Sequence, residues 1–265
     1  MPLLAWREYA DLLEGQDWPG IDVLNVRRPD GMRERFVAQT RELLADGLHY
    51  EQRIAENVIA TRAHNWHDLF NALVWLRHGG LKRALNARQV AGIAGMGPKR
   101  RSRAQHALTH FDEAGVVVAL HDPALLVLWD AHDWHGLFWR ERDAWMDGRI
   151  RVELFGHALL EQALTPGKLL VGKALVVMGA DVPALQPATA FRMAGNCRGA
   201  ISTCAAAVRG GRVLNDPQEL RPLPLAGIPG WHPDNGDACF FRKAACFRPA
   251  RAGRHYPEPL RMGGG

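Results

Sequence analysis

Apolar and polar positions alternate at helical spacing over residues 62–76, which read Arg-Ala-His-Asn-Trp-His-Asp-Leu-Phe-Asn-Ala-Leu-Val-Trp-Leu. Wound at about 100° per residue, His64, His67, Asp68, Asn71, Trp75 and His78 fall within an arc of roughly 100°, and Trp66, Leu69, Phe70, Leu73 and Leu76 take the opposite side. The pattern predicts a helix with one apolar face and one face rich in imidazole, carboxylate and carboxamide. Paired glycines at Gly79-Gly80 predict its end.

The same reading runs along the rest of the chain. Helical periodicity covers residues 5–15 and 33–46, with a turn-rich stretch around Pro19-Gly20 and Pro29-Asp30-Gly31 between them, and a further helix is expected over 50–58. Residues 81–94 read as a short helix or two. They lead into a basic loop, Gly95-Met96-Gly97-Pro98-Lys99-Arg100-Arg101-Ser102-Arg103. Residues 108–120 read as a strand, a turn with Asp112-Glu113 at its tip, and a β-branched strand. An amphipathic helix is expected over 125–146. Another is expected over 150–164, where Glu153, His157 and Glu161 recur every four residues on one face. Residues 169–178 read as a buried strand. Beyond Asp181 proline and glycine rule out a long helix through the stretch 223–235, whose apolar residues still call for packing against a core.

These elements predict an α+β fold: one helix-dominated domain over residues 1–265 with a small antiparallel sheet and a Pro/Gly-rich C-terminal tail. It divides into a helical N-terminal segment (1–49), a motif-bearing core (50–180) and a loop-rich tail packed on that core (181–265). With 265 residues, 47% hydrophobic and 23% charged, the chain can bury a sizeable core. The net charge of +5 comes mostly from arginine and permits an anionic partner without requiring one. No apolar run approaches the roughly 20 residues of a membrane helix. The first dozen residues mix acid and base, unlike a secretory signal, so a cytoplasmic protein is expected. Cys197, Cys204, Cys239 and Cys246 show no metal-binding spacing and are expected to be buried free thiols.

Ten of the 12 histidines lie between His49 and His157, among His64-x-x-His67-Asp68, Asp112-Glu113, Asp130-x-x-Asp133 and His157-x-x-x-Glu161. Neutral imidazole and carboxylate together suit Zn²⁺, Mn²⁺ or Fe²⁺ better than Ca²⁺ or Mg²⁺. The chain lacks His-Glu-x-x-His, Gly-x-Ser-x-Gly and a Walker loop.

Four blocks resemble the bacterial family known as domain of unknown function 3025. They are the Asn65–Trp75 segment with Ala84-Leu85-Asn86; Leu108-Thr109-His110-Phe111-Asp112-Glu113-Ala114-Gly115; Phe155-Gly156-His157-Ala158-Leu159-Leu160-Glu161; and the stretch 222–231 with Asp234-Asn235 and Phe247-Arg248-Pro249. The resemblance implies that Asn65, His67, Asp68, Asn71, Asp112, Glu113 and His157 occupy the family's characteristic motifs, whereas His64 does not. It implies no activity. A fainter similarity to the HD phosphohydrolases would make His67-Asp68 the metal-binding pair and Asp112 or Asp130 the last ligand.

Two functions follow as expectations. The first is a metal-dependent hydrolase acting on a small or phosphate-containing molecule, with His67, Asp68 and His157 as ligands, Asp112 or Glu113 as a further ligand or general base, and Asn71 orienting substrate or a ligand. The second is a nucleic-acid-binding protein using Lys99, Arg100, Arg101 and Arg103 with exposed tryptophans. A non-catalytic scaffold with a buried polar network would fit if neither held.

Overall fold

The computed structural model describes residues 2–15, 17–97, 100–179 and 197–263. Short helices α1 (Ala10–Leu13) and α2 (Ile21–Val26) lead to strand β1 (Arg35–Ala38), helices α3 (Arg41–Leu44) and α4 (Tyr50–Ala55), and strand β2 (Val58–Thr61). The helix predicted over 33–46 is therefore corrected to a strand and one helical turn. β1 pairs in parallel with β2, placing Phe36 opposite Ile59, a long-range pairing that no local period reveals.

Helix α5 (Trp66–Met96) starts where Asn65 caps it, the side chain accepting from the Asp68 backbone N–H at 3.0 Å. It does not stop at Gly79-Gly80. It kinks at His78 (φ −126°, ψ 33°) and continues, because Leu81, Ala84 and Leu85 are buried and their packing outweighs the glycine penalty.

Residues 108–120 are not a hairpin. Helix α6 (Arg103–Ala114) begins with a capping box between Ser102 and Gln105 and buries Gln105, Ala107, Leu108 and Phe111 at helical spacing. Strand β3 (Gly115–Leu120) follows at once, every residue buried. The junction needs glycine, since a Cβ on Gly115 would lie 2.2 Å from the Phe111 carbonyl oxygen.

The helix expected over 125–146 is broken into α7 (Pro123–Asp130), a π-helical turn (Gly136–Arg140) and α8 (Arg142–Met146). The helix expected over 150–164 is likewise corrected to strand β4 (Ile150–Leu154) and helix α9 (His157–Gln162). Strand β5 (Val171–Met178), helix α10 (Arg198–Arg209), strand β6 (Arg221–Pro224), helix α11 (Phe240–Lys243) and strand β7 (Leu260–Arg261) complete the described chain.

The larger sheet has five strands in the order β4-β3-β5-β6, with β7 also on β5. β4 and β6 run antiparallel to their neighbours, whereas β3–β5 and β5–β7 are parallel. The antiparallel sheet predicted from residues 108–120 and 169–178 is thus a mixed one. The chain leaves β3, returns along β4 and crosses through α9, so it enters β5 in the direction of β3.

α10 packs on α5 and against β3 and β5, burying Cys204, Ala207 and Val208. Leu223, Leu225 and Ile228 of the Pro-rich stretch are also buried, and Asn235 donates to the carbonyls of Ala226 and Ile228. One hydrophobic cluster runs from Trp6 to Phe241. The four cysteines are free. Cys197, Cys204 and Cys246 are buried, but Cys239 is exposed, contrary to expectation. Among the described residues no helix is long and apolar enough to cross a membrane.

Candidate metal centre

The first turn of α5, the last turn of α6 and the first turn of α9 pack together, and each contributes to one cluster of side chains. The approach of α9 depends on Gly156. A Cβ there would come within 2.5 Å of Ala114 Cα, the Glu113 carbonyl oxygen and Gly115 N. The bare backbone instead lets Phe155 and Gly156 both donate to the Gly115 carbonyl, at 3.0 and 2.8 Å. His157, the first residue of α9, is thereby set beside Glu113, the penultimate residue of α6.

His67 Nε2 and His157 Nε2 are 3.0 Å apart. Glu113 Oε2 lies 3.9 Å from the first and 3.6 Å from the second. Three ligands bound to Zn²⁺ at about 2.0–2.2 Å would be separated by roughly 3.3 Å in a tetrahedron. The triangle of 3.0, 3.6 and 3.9 Å therefore has the dimensions of one face of a tetrahedral site.

The other ring nitrogen of His67 assigns its tautomer. His67 Nδ1 faces Glu161 Oε2 at 3.0 Å, so its proton belongs on Nδ1, whereas the buried His157 Nδ1 makes no hydrogen bond and has Asp112 Oδ2 3.8 Å away. Burial pushes the His157 imidazolium down to about 3, with Lys82 and His67 reinforcing and Asp112 opposing, so this ring is neutral near pH 7. Burial and the charge of Asp112 raise the Glu113 carboxyl, while His67 and Lys82 oppose the shift. With the His157 proton also on Nδ1, two imidazole lone pairs and a carboxylate oxygen would converge on one point, an arrangement that a cation relieves.

A layer of hydrogen bonds surrounds the three donors. Burial works to raise the Asp112 carboxyl, but the charge and hydrogen bond of Lys82 act against it and the carboxyl lies below the usual carboxylate range. Lys82 Nζ donates to Asp112 Oδ1 at 2.6 Å and to Asn71 Oδ1 at 2.8 Å, and Asn71 Nδ2 donates to the Tyr50 hydroxyl at 2.9 Å. Neither Lys82 nor Tyr50 was singled out from the sequence. Lys82 lies four residues beyond His78 and seven beyond Trp75, on the same face, but a helix ending at Gly79-Gly80 does not include it.

His67, Glu113 and His157 open into a cavity of about 350 Å³. Asp68, Asn71 and Asp112 line it as well, so all six residues expected at the site border one space. Their roles are distributed differently. The Asp68 carboxylate is taken by Arg62, through Nε (2.9 Å), a second guanidinium nitrogen (2.7 Å) and the backbone N–H (2.7 Å), and it stands outside the three converging donors.

His64 precedes the helix, with φ +54°, and packs against Trp18. Glu153, on β4, pairs with Arg77 (2.9 Å) and His78 (3.1 Å) and not with His157. Asp130 is held by Arg221 and Asp133 by Arg140. In the basic loop Arg100 and Arg101 line the cavity, whereas Arg103 pairs with Asp216. Lys99 lies outside the described residues.

A family model described as "protein of unknown function (DUF3025)" matches residues 34–251, and the chain belongs to that family. The matched region contains all three converging donors. No curated protein and no solved structure matches the chain.

Proposed function

We propose that the protein is a hydrolase dependent on a single divalent transition metal held by His67 Nε2, His157 Nε2 and Glu113. The observation that carries this reading is the convergence of the three donor atoms, with separations of 3.0, 3.6 and 3.9 Å and with both Nδ1 atoms facing acids. Two imidazoles and one carboxylate suit Zn²⁺, Mn²⁺ or Fe²⁺. Relative to the expected ligand set, Glu113 takes the place of Asp68.

A bound ion at such a site supplies a water of lowered pKa, about 7 in comparable centres, and polarises the bond to be cut. The protein's own groups supply the rest. Glu161 keeps the His67 proton on Nδ1 and fixes that ring plane, and the Asp112 carboxylate lies 3.8 Å from His157 Nδ1. Lys82 holds Asp112 in place, and Asn71 ties Lys82 to Tyr50. The cavity admits substrate on the side where His67 and Glu113 are partly exposed, while His157 stays buried.

The test is an assay of chromogenic esters and phosphoesters on chelated protein, with Zn²⁺, Mn²⁺ or Fe²⁺ added back. Activity is expected only with metal, and about 100-fold lower or less in His67→Ala. That variant should keep its fold, because Leu69, Leu73 and Leu76 are untouched. Hydrolysis that survives both chelation and His67→Ala would contradict the proposal.

A further inference from the structure

Four of the charged side chains bordering the cavity pair with one another, Arg62 with Asp68 and Lys82 with Asp112. Arg100 and Arg101 are different. Both are exposed, both line the cavity, and among the described residues neither forms an ion pair. Glu51 is near enough to feel the charge of Arg101, but it is half-buried, and desolvation together with Asp112 pushes its carboxyl up. Its side chain accepts instead from Asn86 Nδ2 at 2.7 Å.

Trp75 also lines the cavity, and its indole Nε1 is buried without a hydrogen-bond partner.

We infer that the cavity binds a small molecule carrying a phosphate group at the Arg100–Arg101 end, with the bond to be cut presented at His67, Glu113 and His157. The inference rests on the metal-hydrolase reading for its second half only. Two guanidinium groups without counter-ions match a dianion. A phosphate monoester carries about −1.5 to −2 near pH 7, and arginine forks bind it through paired hydrogen bonds.

The length of the ligand follows from α6. Arg103 and Glu113 lie at opposite ends of that helix, ten residues or about 15 Å apart at 1.5 Å per residue. Arg100 and Arg101 stand just before its start. Arginine and glutamate side chains shorten that gap, and in this inference the phosphate is a handle beside the reacting bond, not the group being transferred. Between the two ends the wall is rich in amides, with Asn71, Asn86, Gln89 and Gln105. A volume of about 350 Å³ fits a small molecule and not a polymer.

The test is calorimetric titration of the full chain, metal-free and Zn²⁺-loaded, with inorganic phosphate and with acetate. Three proteins are compared: wild type, the double variant Arg100→Ala/Arg101→Ala, and Arg103→Ala. Metal content is measured on the same samples. Phosphate is expected to bind both forms of the wild type, about tenfold or more tighter than acetate. The double variant should lose about tenfold or more in phosphate affinity at unchanged metal content, and Arg103→Ala should match the wild type.

Absence of phosphate binding, or equal binding by the double variant, would overturn the inference. So would binding that vanishes with the metal and ignores both arginines, which would place the phosphate on the ion. Arginine-dependent phosphate binding in a chain that takes up no metal would uphold the phosphate handle and remove only the hydrolase reading.

Discussion

Glu161 acts on the proposed ion only through His67, so its removal separates orientation from ligation. In Glu161→Gln the Nδ1 contact persists without the charge. Metal affinity is expected to fall about 10- to 100-fold, read by competition with a chelator, with little change in unfolding because Glu161 is partly exposed to water. Unchanged affinity would deny Glu161 that role. Lys82 is the opposite case, a buried ammonium whose loss strands Asp112. Lys82→Met is expected to cost about 3 kcal/mol in urea unfolding, the lower end for breaking a buried pair, since Asp112 keeps some solvent. At this scale the sequence was partly legible. It marked the residues that border the cavity but not which of two neighbours faces the ion. Adjacent helical residues point about 100° apart, so His67 and Asp68, or Asp112 and Glu113, cannot both aim at one point. Asp68 went to Arg62 because Arg62 precedes the helix start and can reach both its carboxylate oxygens.

Three elements must meet for the centre to exist, and Gly156 is where they do so most closely. Gly156→Ala places a methyl within 2.5 Å of backbone atoms of Glu113, Ala114 and Gly115, which cannot move like a flexible side chain. The expected outcome is a folded protein of lower melting temperature whose metal affinity falls more steeply than its stability, as α9 is pushed off α6. Retained affinity by the same chelator competition would show that the close approach is not needed. The start of α5 was readable because cap and apolar period agree. Its continuation past Gly80 was not, because burial of Leu81, Ala84 and Leu85 is decided by partners far along the chain. The misreading of α6 and β3 as a hairpin has a similar cause: Leu108 and Phe111 carry a helical period only when read together with Ala107 and Gln105.

For the molecule as a whole, the ligands come from α5, α6 and α9, so an ion bound there ties together segments separated by up to 90 residues in sequence. An ion that binds only the folded chain at a hundred times its dissociation constant adds about 2.7 kcal/mol, which corresponds to a rise of several degrees in melting temperature for a chain of this size. Chelation should lower the melting temperature by that amount, and His157→Ala should abolish the difference. The mixed sheet and the packing of α10 on α5 were not legible locally, since strand direction is set by the crossover through α9 and not by any single segment. The most direct measurement is anomalous X-ray scattering at the metal absorption edge from crystals of the untagged protein grown with Zn²⁺. The expected result is one peak per chain, about 2.0–2.2 Å from His67 Nε2, His157 Nε2 and a Glu113 oxygen. No peak at that point, with the two imidazoles hydrogen-bonded directly to each other, would contradict the account.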